Sequence, residues 1–193
     1  MHRRKSILDK CRDCDLYRLR TQVVGYRGNA KEGVDLDVLF VGEAPGKQED
    51  LTGIPFIGAS GQLLTEKIER LETAGTVYLI TNVVKCRPPN NKFSKKYVQA
   101  CRKHLMDDVK IFNPALIVAI GSSAMEELTG EVGIKARSGN ILRSKDIYGT
   151  RMVIPIIHPA AVLYDRNANK TIWDSSWEKL YEHLEMSQVE EYW

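Results

Sequence analysis

The chain has 193 residues, of which 43% are hydrophobic, and a formal net charge of +3. This length is enough for one well-buried core and too short for two full domains, so a single domain over residues 1–193 is expected. No stretch approaches the roughly 18 consecutive apolar residues of a membrane span, and no apolar core follows the basic start. These features argue against a membrane or secreted protein and predict a protein of the cytoplasm or the nucleus.

The balanced total charge conceals two basic regions. Residues 1–27 carry eight Lys or Arg against three Asp or Glu, and residues 85–110 carry eight against two. Residues 171–193 carry one against six. This distribution indicates a face that binds a polyanion, although any single charge is more often a solvated side chain.

In chain order, the sequence predicts helices and strands that alternate after an N-terminal helix. The predicted strands are at 34–43, 77–85, 115–121 and 151–157. The predicted helices are at 5–20, 60–72, 95–112, 122–130 and 169–186, and the fourth of these is short. The strands are apolar, β-branched runs, as buried parallel strands are. Apolar spacing, with Ser94 as an N-cap and Asn113-Pro114 as a stop, supports the helices. The alternation predicts an α/β fold, a three-layer α/β/α sandwich around a central, mostly parallel four-stranded sheet.

The first predicted helix holds two of the four cysteines. Cys11 and Cys14 stand in C-x-x-C spacing, and the others are Cys86 and Cys101. A reducing interior disfavours a disulfide, which leaves a redox pair or half of a metal site. Without a second C-x-x-C or a histidine at zinc-finger spacing, the spacing alone still allows zinc or another metal.

Polar side chains follow three of the predicted strands. Glu43, Asn82 and His158 each lie within two residues of a strand end. A lone histidine after a strand is more often structural than catalytic. Since ligands bind at the carboxyl ends of parallel strands, the three together predict a site.

Three segments carry a family resemblance: "GEAPGKQEDLTGIPFIGASGQLL" (42–64), "TNVVKCRPPNNK" (81–92) and "HPAAVL" (158–163). With the four cysteines, they closely resemble the family 4 uracil-DNA glycosylases, the iron-sulfur type of bacteria and archaea, over roughly residues 8–185. The resemblance implies an intracellular, monomeric DNA repair enzyme that flips uracil out of single- and double-stranded DNA. It would hydrolyse the N-glycosidic bond and leave an abasic site.

The resemblance assigns the parts of a uracil pocket. Gly42, Glu43 and Ala44 belong to its first turn, and Phe56 is the ring that stacks on the flipped base. Outside such a loop, Phe56 would be read as a core residue. The first turn and Phe56 also leave no room for the methyl group of thymine.

Two further residues take specific roles by the same resemblance. Asn82 offers an acceptor and a donor side by side, which match the ring NH and the 4-carbonyl oxygen of uracil and mismatch cytosine. His158 stabilises the negative charge that develops on the leaving uracil. The sequence leaves open whether His158 acts neutral or charged.

Water activation has more than one candidate, because Ala44 stands where the best-known uracil glycosylases have Asp. Glu49 is the first choice, since its loop position allows it to reach a water on the sugar face. Glu43 is the second, although it is also suited to fixing the pocket geometry. Asp50 is better read as a residue that caps the next turn.

The DNA contacts implied by the resemblance are mostly phosphate contacts. The candidates are Ser60 and Gly61 at a helix start, and Arg87 and Lys92 after the uracil-reading strand. Leu163 is the expected wedge into the base stack, with Tyr164 as the alternative and core packing as the plain interpretation.

The resemblance also makes Cys11, Cys14, Cys86 and Cys101 the ligands of a four-iron, four-sulfur (4Fe-4S) cluster. That cluster is expected to be a structural staple, and no feature requires a redox role. The acidic tail at 187–193 resembles a sliding-clamp peptide only loosely, because Gln188 lacks the spaced aliphatic residue. A disordered or self-packed tail is preferred.

Two other classes stay open. One is a uracil sensor, or a relative that crosslinks to DNA, but "FIGASGQLL" leaves no room for the extra reactive loop of such relatives. The other is an unrelated α/β nucleotide-binding protein with a zinc staple, which no phosphate-binding G-x-x-x-x-G-K-[ST] loop supports.

Overall fold

The computed structural model describes residues 8–31 and 34–190, with side chains described up to residue 186. The strands in these residues are β1 (Arg27–Gly28), β2 (Val38–Gly42), β3 (Tyr78–Asn82), β4 (Leu116–Ile120), β5 (Leu142–Arg143) and β6 (Met152–Ile156). The α-helices are α1 (Lys47–Thr52), α2 (Ala59–Thr73), α3 (Lys95–Phe112), α4 (Ser122–Thr129), α5 (Ile134–Arg137), α6 (Pro159–Tyr164) and α7 (Arg166–Glu190).

The sheet of the described chain has the strand order β1-β3-β2-β4-β6-β5. Its four inner strands are the four predicted ones, and they are parallel to one another. β1 and β5 add antiparallel outer strands of two residues each. The sheet is therefore six-stranded and mixed, and the prediction of four strands was wrong, because two-residue strands are too short to show a pattern.

Both faces of the inner strands are buried, which explains their unbroken apolar sequences. Leu39 and Val41 point to one face, where they belong to a core cluster with residues of α3 and α4. Phe40 points to the other face, where residues of α2 and α7 complete the second cluster. The Phe40 ring stacks there on Trp177, with the ring centroids 5.9 Å apart. Helices thus cover both faces, and a ligand can approach at the strand ends.

The long helices largely follow the predictions. α3 begins after Ser94 and ends before Asn113, whose φ of +43° stops the helix. The final helix starts at Arg166, three residues earlier than predicted. The short helix α6 was not predicted, although Pro159 at its first turn is a helix-start signal. Of the helices in the described residues, none combines the length and apolar character needed to cross a membrane.

The predicted helix at 5–20 does not form as one helix. Residues 8 and 9 are helical, the backbone of Cys14 is extended, and a 3-10 turn follows at Asp15–Arg18. The break lets Leu16 enter the core while the two thiols face a common cavity. Residues 5–7 lie outside the described residues. Of the predicted tail at 187–193, residues 187–190 continue α7 and 191–193 lie outside.

A buried ion pair ties α3 to the segment that follows β3. The Lys85 ammonium lies 2.7 Å from Asp108 Oδ2, and the two side chains are 2% and 0% exposed. Lys85 also donates to Thr81 Oγ1 at 2.6 Å, and the Tyr26 hydroxyl donates to Asp108 at 2.6 Å. Removing one partner of such a pair typically costs about 3–5 kcal/mol, because the other charge stays buried.

Candidate functional site

The carboxyl ends of the inner strands open into a cavity, whose atom-free volume of about 1400 Å³ includes space open to solvent. The predicted residues that line it are Glu43, Ala44, Glu49, Phe56, Ser60, Gly61, Asn82 and His158. Pro88, Asn91, Gly121 and Ser122 line it as well and were not predicted. The parallel topology therefore gathers side chains that are up to 115 positions apart in the sequence, from Glu43 to His158.

Gly42 sets how closely two of these side chains approach. It pairs with Asn82 in the β2–β3 register. A Cβ atom at position 42 would lie 2.4 Å from the Phe56 ring and 2.6 Å from Asn82 Oδ1. Only glycine therefore lets the ring and the amide meet at this point of the sheet.

Phe56 is held in a strained conformation. Its φ is +55°, a region that costs a residue other than glycine roughly 1–3 kcal/mol. Glu49 Oε1 accepts from the next two backbone amides, Ile57 at 3.1 Å and Gly58 at 3.0 Å. A Cβ on Gly61 would lie 1.7 Å from the Phe56 carbonyl oxygen, so α2 begins directly against this residue. The ring is 7% exposed and shares the second core cluster, so it is at once a core residue and a cavity wall.

Asn82 presents a buried amide to the cavity. The residue is 3% exposed, and within the described residues its side-chain amide has no hydrogen-bond partner. Buried amides in proteins are nearly always paired. An unpaired one that faces a cavity is an arrangement suited to a ligand with its own donor and acceptor.

His158 is fixed in one tautomer. Its Nδ1 accepts from the Ala160 backbone amide at 3.1 Å, so Nε2 carries the ring proton. Burial lowers the pKa of His158 to about 4, and the imidazole is neutral at physiological pH. Its ring lies 5.8 Å from that of Phe56, centroid to centroid. The ring is therefore a neutral hydrogen-bond donor at the cavity.

The carboxylates at the site differ in their contacts. Glu43 Oε2 accepts from the Ser123 hydroxyl at 2.5 Å. Glu49 is occupied by the loop amides after Phe56. Asp50, 6% exposed, accepts from the Thr21 amide at 3.1 and 3.2 Å, which ties the N-terminal segment to α1.

Of the predicted DNA-contacting residues, Ser60 and Gly61 line the cavity, and the others lie on segments that also contribute to its lining. Ser60 and Gly61 lie in the first turn of α2. Arg87 Nε donates to Asn91 Oδ1 at 2.9 Å, and Lys92 is exposed. Leu163 and Tyr164 end α6 and are 54% and 93% exposed.

The four cysteines line a second cavity, which lies between the N-terminal segment, the residues after β3 and α3. All four are free thiols. Burial raises the pKa of Cys11 and of Cys86, and raises that of Cys101 to about 12. Buried thiols of this kind need a metal, or donors to sulfur, to become thiolates.

N–H groups donate to two of the sulfurs, and a histidine nitrogen lies close to a third. Arg20 donates to Cys86 Sγ at 3.2 Å, and the Lys85 amide donates to Cys101 Sγ at 3.4 Å. His104 Nε2 lies 3.2 Å from Cys11 Sγ. Donors of this kind surround iron-sulfur clusters. Cys11, Asp13 and His104 also bring three ligand atoms within 4.8 Å of one another, so this set suits a metal as well.

Sequence reasoning missed several residues here for identifiable reasons. Asn91 was inside a quoted motif, but its cavity position depends on a backbone turn with φ of +55°. Ser123 follows the third strand, and its partner Glu43 is 80 positions away. Arg20 also carries no local signal, because its sulfur contact spans 66 positions.

Comparisons with known proteins agree on one family. A sequence model described as the uracil DNA glycosylase superfamily matches residues 31–181. A type-4 uracil-DNA glycosylase of Saccharolobus solfataricus is 35% identical over 187 residues, which cover 93% of this chain and 84% of that protein. Proteins of the same name from Thermotoga maritima and Archaeoglobus fulgidus are 40% and 36% identical, over 82% and 89% of this chain and 80% and 87% of theirs.

Proposed function

The chain belongs to the uracil DNA glycosylase superfamily, and from this premise we infer that it is a DNA repair glycosylase that releases uracil from DNA. It hydrolyses the bond between the base and deoxyribose and leaves an abasic site. The observation that carries the proposal is the buried Asn82 amide, which has no partner among the described residues, beside the Phe56 ring and a neutral His158 in one cavity. The finer architecture that we propose is the superfamily's three-layer α/β/α sandwich, in a single domain.

Recognition rests on Asn82 and Phe56. A base inside a duplex must be flipped out before a pocket can read its edge. The Asn82 carbonyl would accept from the ring NH of uracil and its NH2 would donate to the 4-carbonyl oxygen. The Phe56 ring supplies the stacking face, and the turn of Gly42, Glu43 and Ala44 closes the pocket against the methyl of thymine.

Bond cleavage rests on His158. Departure of uracil builds negative charge on its 2-carbonyl oxygen while the sugar gains cationic character. A neutral Nε2–H aimed at that oxygen is more favourable in the transition state than in the ground state. The Ala160 contact keeps this proton on Nε2, so the donor needs no reorganisation during the reaction.

DNA binding is proposed to be mostly electrostatic and therefore salt-dependent. Backbone amides at Ser60 and Gly61 and the side chains of Arg87 and Lys92 would contact phosphates. The exposed Leu163 would enter the base stack, with Tyr164 as the alternative. The enzyme is proposed to act as a monomer on intracellular DNA, and a contact between the 187–193 tail and a sliding clamp is a secondary proposal.

A cleavage assay tests the function directly. Oligonucleotides with U:G, U:A, single-stranded U and T:G are incubated with the whole chain, and free base is quantified. We expect uracil release from the first three and none from T:G. Absence of released uracil would refute the proposal, and a protein–DNA adduct without released enzyme would favour a crosslinking relative.

We also propose that the four cysteines hold a 4Fe-4S cluster. The donor set fits, because four free thiols face one cavity and N–H groups donate to the sulfurs of Cys86 and Cys101. When bound, such a cluster supplies four iron–thiolate bonds that join the N-terminal segment, the end of β3 and α3. Arg20 supports the set from outside: besides Cys86, it donates to the backbone carbonyls of Asp9 at 2.8 Å and Cys11 at 3.2 Å.

Replacing Arg20 by alanine is expected to weaken cluster retention by roughly 10- to 100-fold, as loss of an outer-shell partner does at metal sites. The measurement is iron per chain and the lifetime of the brown colour in air, for protein purified without oxygen. Arg18→Ala is the matched control, because Arg18 donates to the Tyr17 hydroxyl and to no sulfur. Stoichiometric zinc in protein made with ample iron would contradict the proposal that the four cysteines hold an iron-sulfur cluster.

Glu49 and Glu43 are both candidates for the residue that activates the water. Two different substitutions of Glu49 distinguish between them. Glu49→Gln keeps an oxygen that can accept from Ile57 and Gly58, so we expect the rate of uracil release to stay within about threefold of the wild type. Glu49→Ala leaves two amides unpaired, at a cost of about 1–3 kcal/mol each, and should lower both the rate and the unfolding temperature. Single-turnover rates and thermal melts are compared with Glu69→Ala, an exposed control on α2. If Gln is as damaging as Ala, Glu49 is instead the water-activating base.

A further inference from the structure

The turn between β4 and α4 touches two groups of the proposed reaction. Ser123, in the first turn of α4, donates its hydroxyl proton to Glu43 Oε2 at 2.5 Å. Two residues earlier, Gly121 has a φ of +90°, and a Cβ there would lie 3.2 Å from His158 Cβ. One short segment therefore bonds to Glu43 and passes close beside His158.

Glu43 is fixed at both of its ends. Its backbone carbonyl accepts from the Val84 amide at 3.0 Å, and its carboxylate is held by Ser123. A distance of 2.5 Å is typical of the strong bond between a hydroxyl and an ionised carboxylate. Within the described residues, Oε1 has no hydrogen-bond partner, and the residue lines the cavity. Glu43 thus offers one oriented oxygen to a molecule in the cavity.

The local structure around Ser123 does not require a bond from its hydroxyl to Glu43. Serine in the first turn of a helix commonly bonds to a backbone group of its own turn. Here Ser123 instead reaches a residue 80 positions away, and it also lines a third cavity together with Lys95, Arg102 and Glu126. A glutamate side chain without such a bond would lose its single orientation, because it has three rotatable bonds.

We propose that Ser123 is a positioning residue that holds Glu43 to orient the hydrolytic water. This rests on the proposed function. The water oxygen bonds to C1′ of the sugar, the bond from C1′ to N1 breaks with its electron pair leaving on uracil, and the water proton passes to Glu43. Among the described residues that line the cavity of Glu43, Asn82 and His158, Ser123 is not included, so it would act through Glu43 and not directly on the water or the DNA. Its role is to fix the carboxylate, which a hydrogen bond to one oxygen can do.

The test compares Ser123→Ala and Ser123→Thr by single-turnover uracil release and by binding to a duplex that carries a non-hydrolysable uracil nucleotide. The alanine variant is expected to react roughly 10- to 100-fold more slowly, as the loss of a hydrogen bond to a charged group predicts. Its DNA dissociation constant should stay within about twofold. The threonine variant keeps the hydroxyl and should recover most of the rate.

Two controls separate the proposed role of Ser123 from a general effect of the substitution. Ser175→Ala, an exposed serine on α7 that lines neither cavity, should match the wild type. In a Glu43→Gln background, Ser123→Ala should cause little further loss, because the two residues act as one unit. The inference fails if Ser123→Ala reacts as fast as the wild type, if the two losses add in full, or if threonine fails to rescue. A wild-type chain that releases no uracil would refute the proposed function instead.

Discussion

Replacing His158 by alanine is expected to lower the single-turnover rate of uracil release by roughly 10²–10³-fold, the usual loss for one donor at a developing oxyanion. The donor is lost while the pocket that reads uracil stays, so binding of uracil-containing DNA should change much less than the rate. Single-turnover release and DNA binding by fluorescence anisotropy measure the two effects. His183→Ala on α7 is the matched control. Turnover within a few fold of the wild type would remove His158 from the mechanism.

The same residue predicts the shape of the pH profile. The pKa of His158 is lowered by burial to about 4, below the usual value of 6.5, so the neutral form persists as the pH falls through 6.5. The rate should therefore show no loss between about pH 8 and pH 5.5 that is due to this imidazole. Only nearer pH 4 would Nδ1 take a proton and lose its bond from the Ala160 amide. A titration near pH 6.5 that vanishes in His158→Ala would contradict the neutral donor.

Replacing Asn82 by aspartate is expected to abolish the selectivity for uracil. A carboxylate keeps the acceptor for the ring NH but sets an oxygen against the 4-carbonyl oxygen, with a cost of about 1–3 kcal/mol for the unpaired group. Uracil release should fall by roughly 5- to 150-fold, and the amino group of cytosine now meets an acceptor.

The measurement for Asn82→Asp is the ratio of uracil to cytosine release from matched U:G and C:G duplexes. Asn140→Asp, an exposed substitution of the same chemistry, should leave the ratio unchanged. Full uracil activity with no cytosine release in Asn82→Asp would remove the recognition role.

The inner strands and the meeting of Glu43, Asn82 and His158 at one cavity were predictable from patterns along the sequence. Val38–Gly42 and Leu116–Ile120 are buried on both faces, and such strands read as continuous apolar runs. Once four parallel strands are predicted, their carboxyl ends must share one edge, which brings Glu43, Asn82 and His158 together. The prediction needed no knowledge of packing.

The remaining features depend on contacts between distant segments. The outer strands have two residues each, and the N-terminal segment is broken so that Leu16 is buried in the core while Cys11 and Cys14 stay partly exposed at the cavity. The roles proposed for Phe56 and His158 came from family resemblance, because strand-end patterns do not distinguish a stacking ring or a leaving-group donor from a core residue. The neutral state of His158 follows from its burial and from the Ala160 amide, neither of which the sequence displays.

The buried pair of Lys85 and Asp108 bears on the arrangement of the proposed cluster ligands. Lys85 anchors α3 beside the segment that follows β3, and Cys86 and Cys101 lie on these two elements at one cavity. We therefore expect the loss of either charged residue to weaken the retention of the proposed cluster as well as the fold, because both cysteines depend on the same contact.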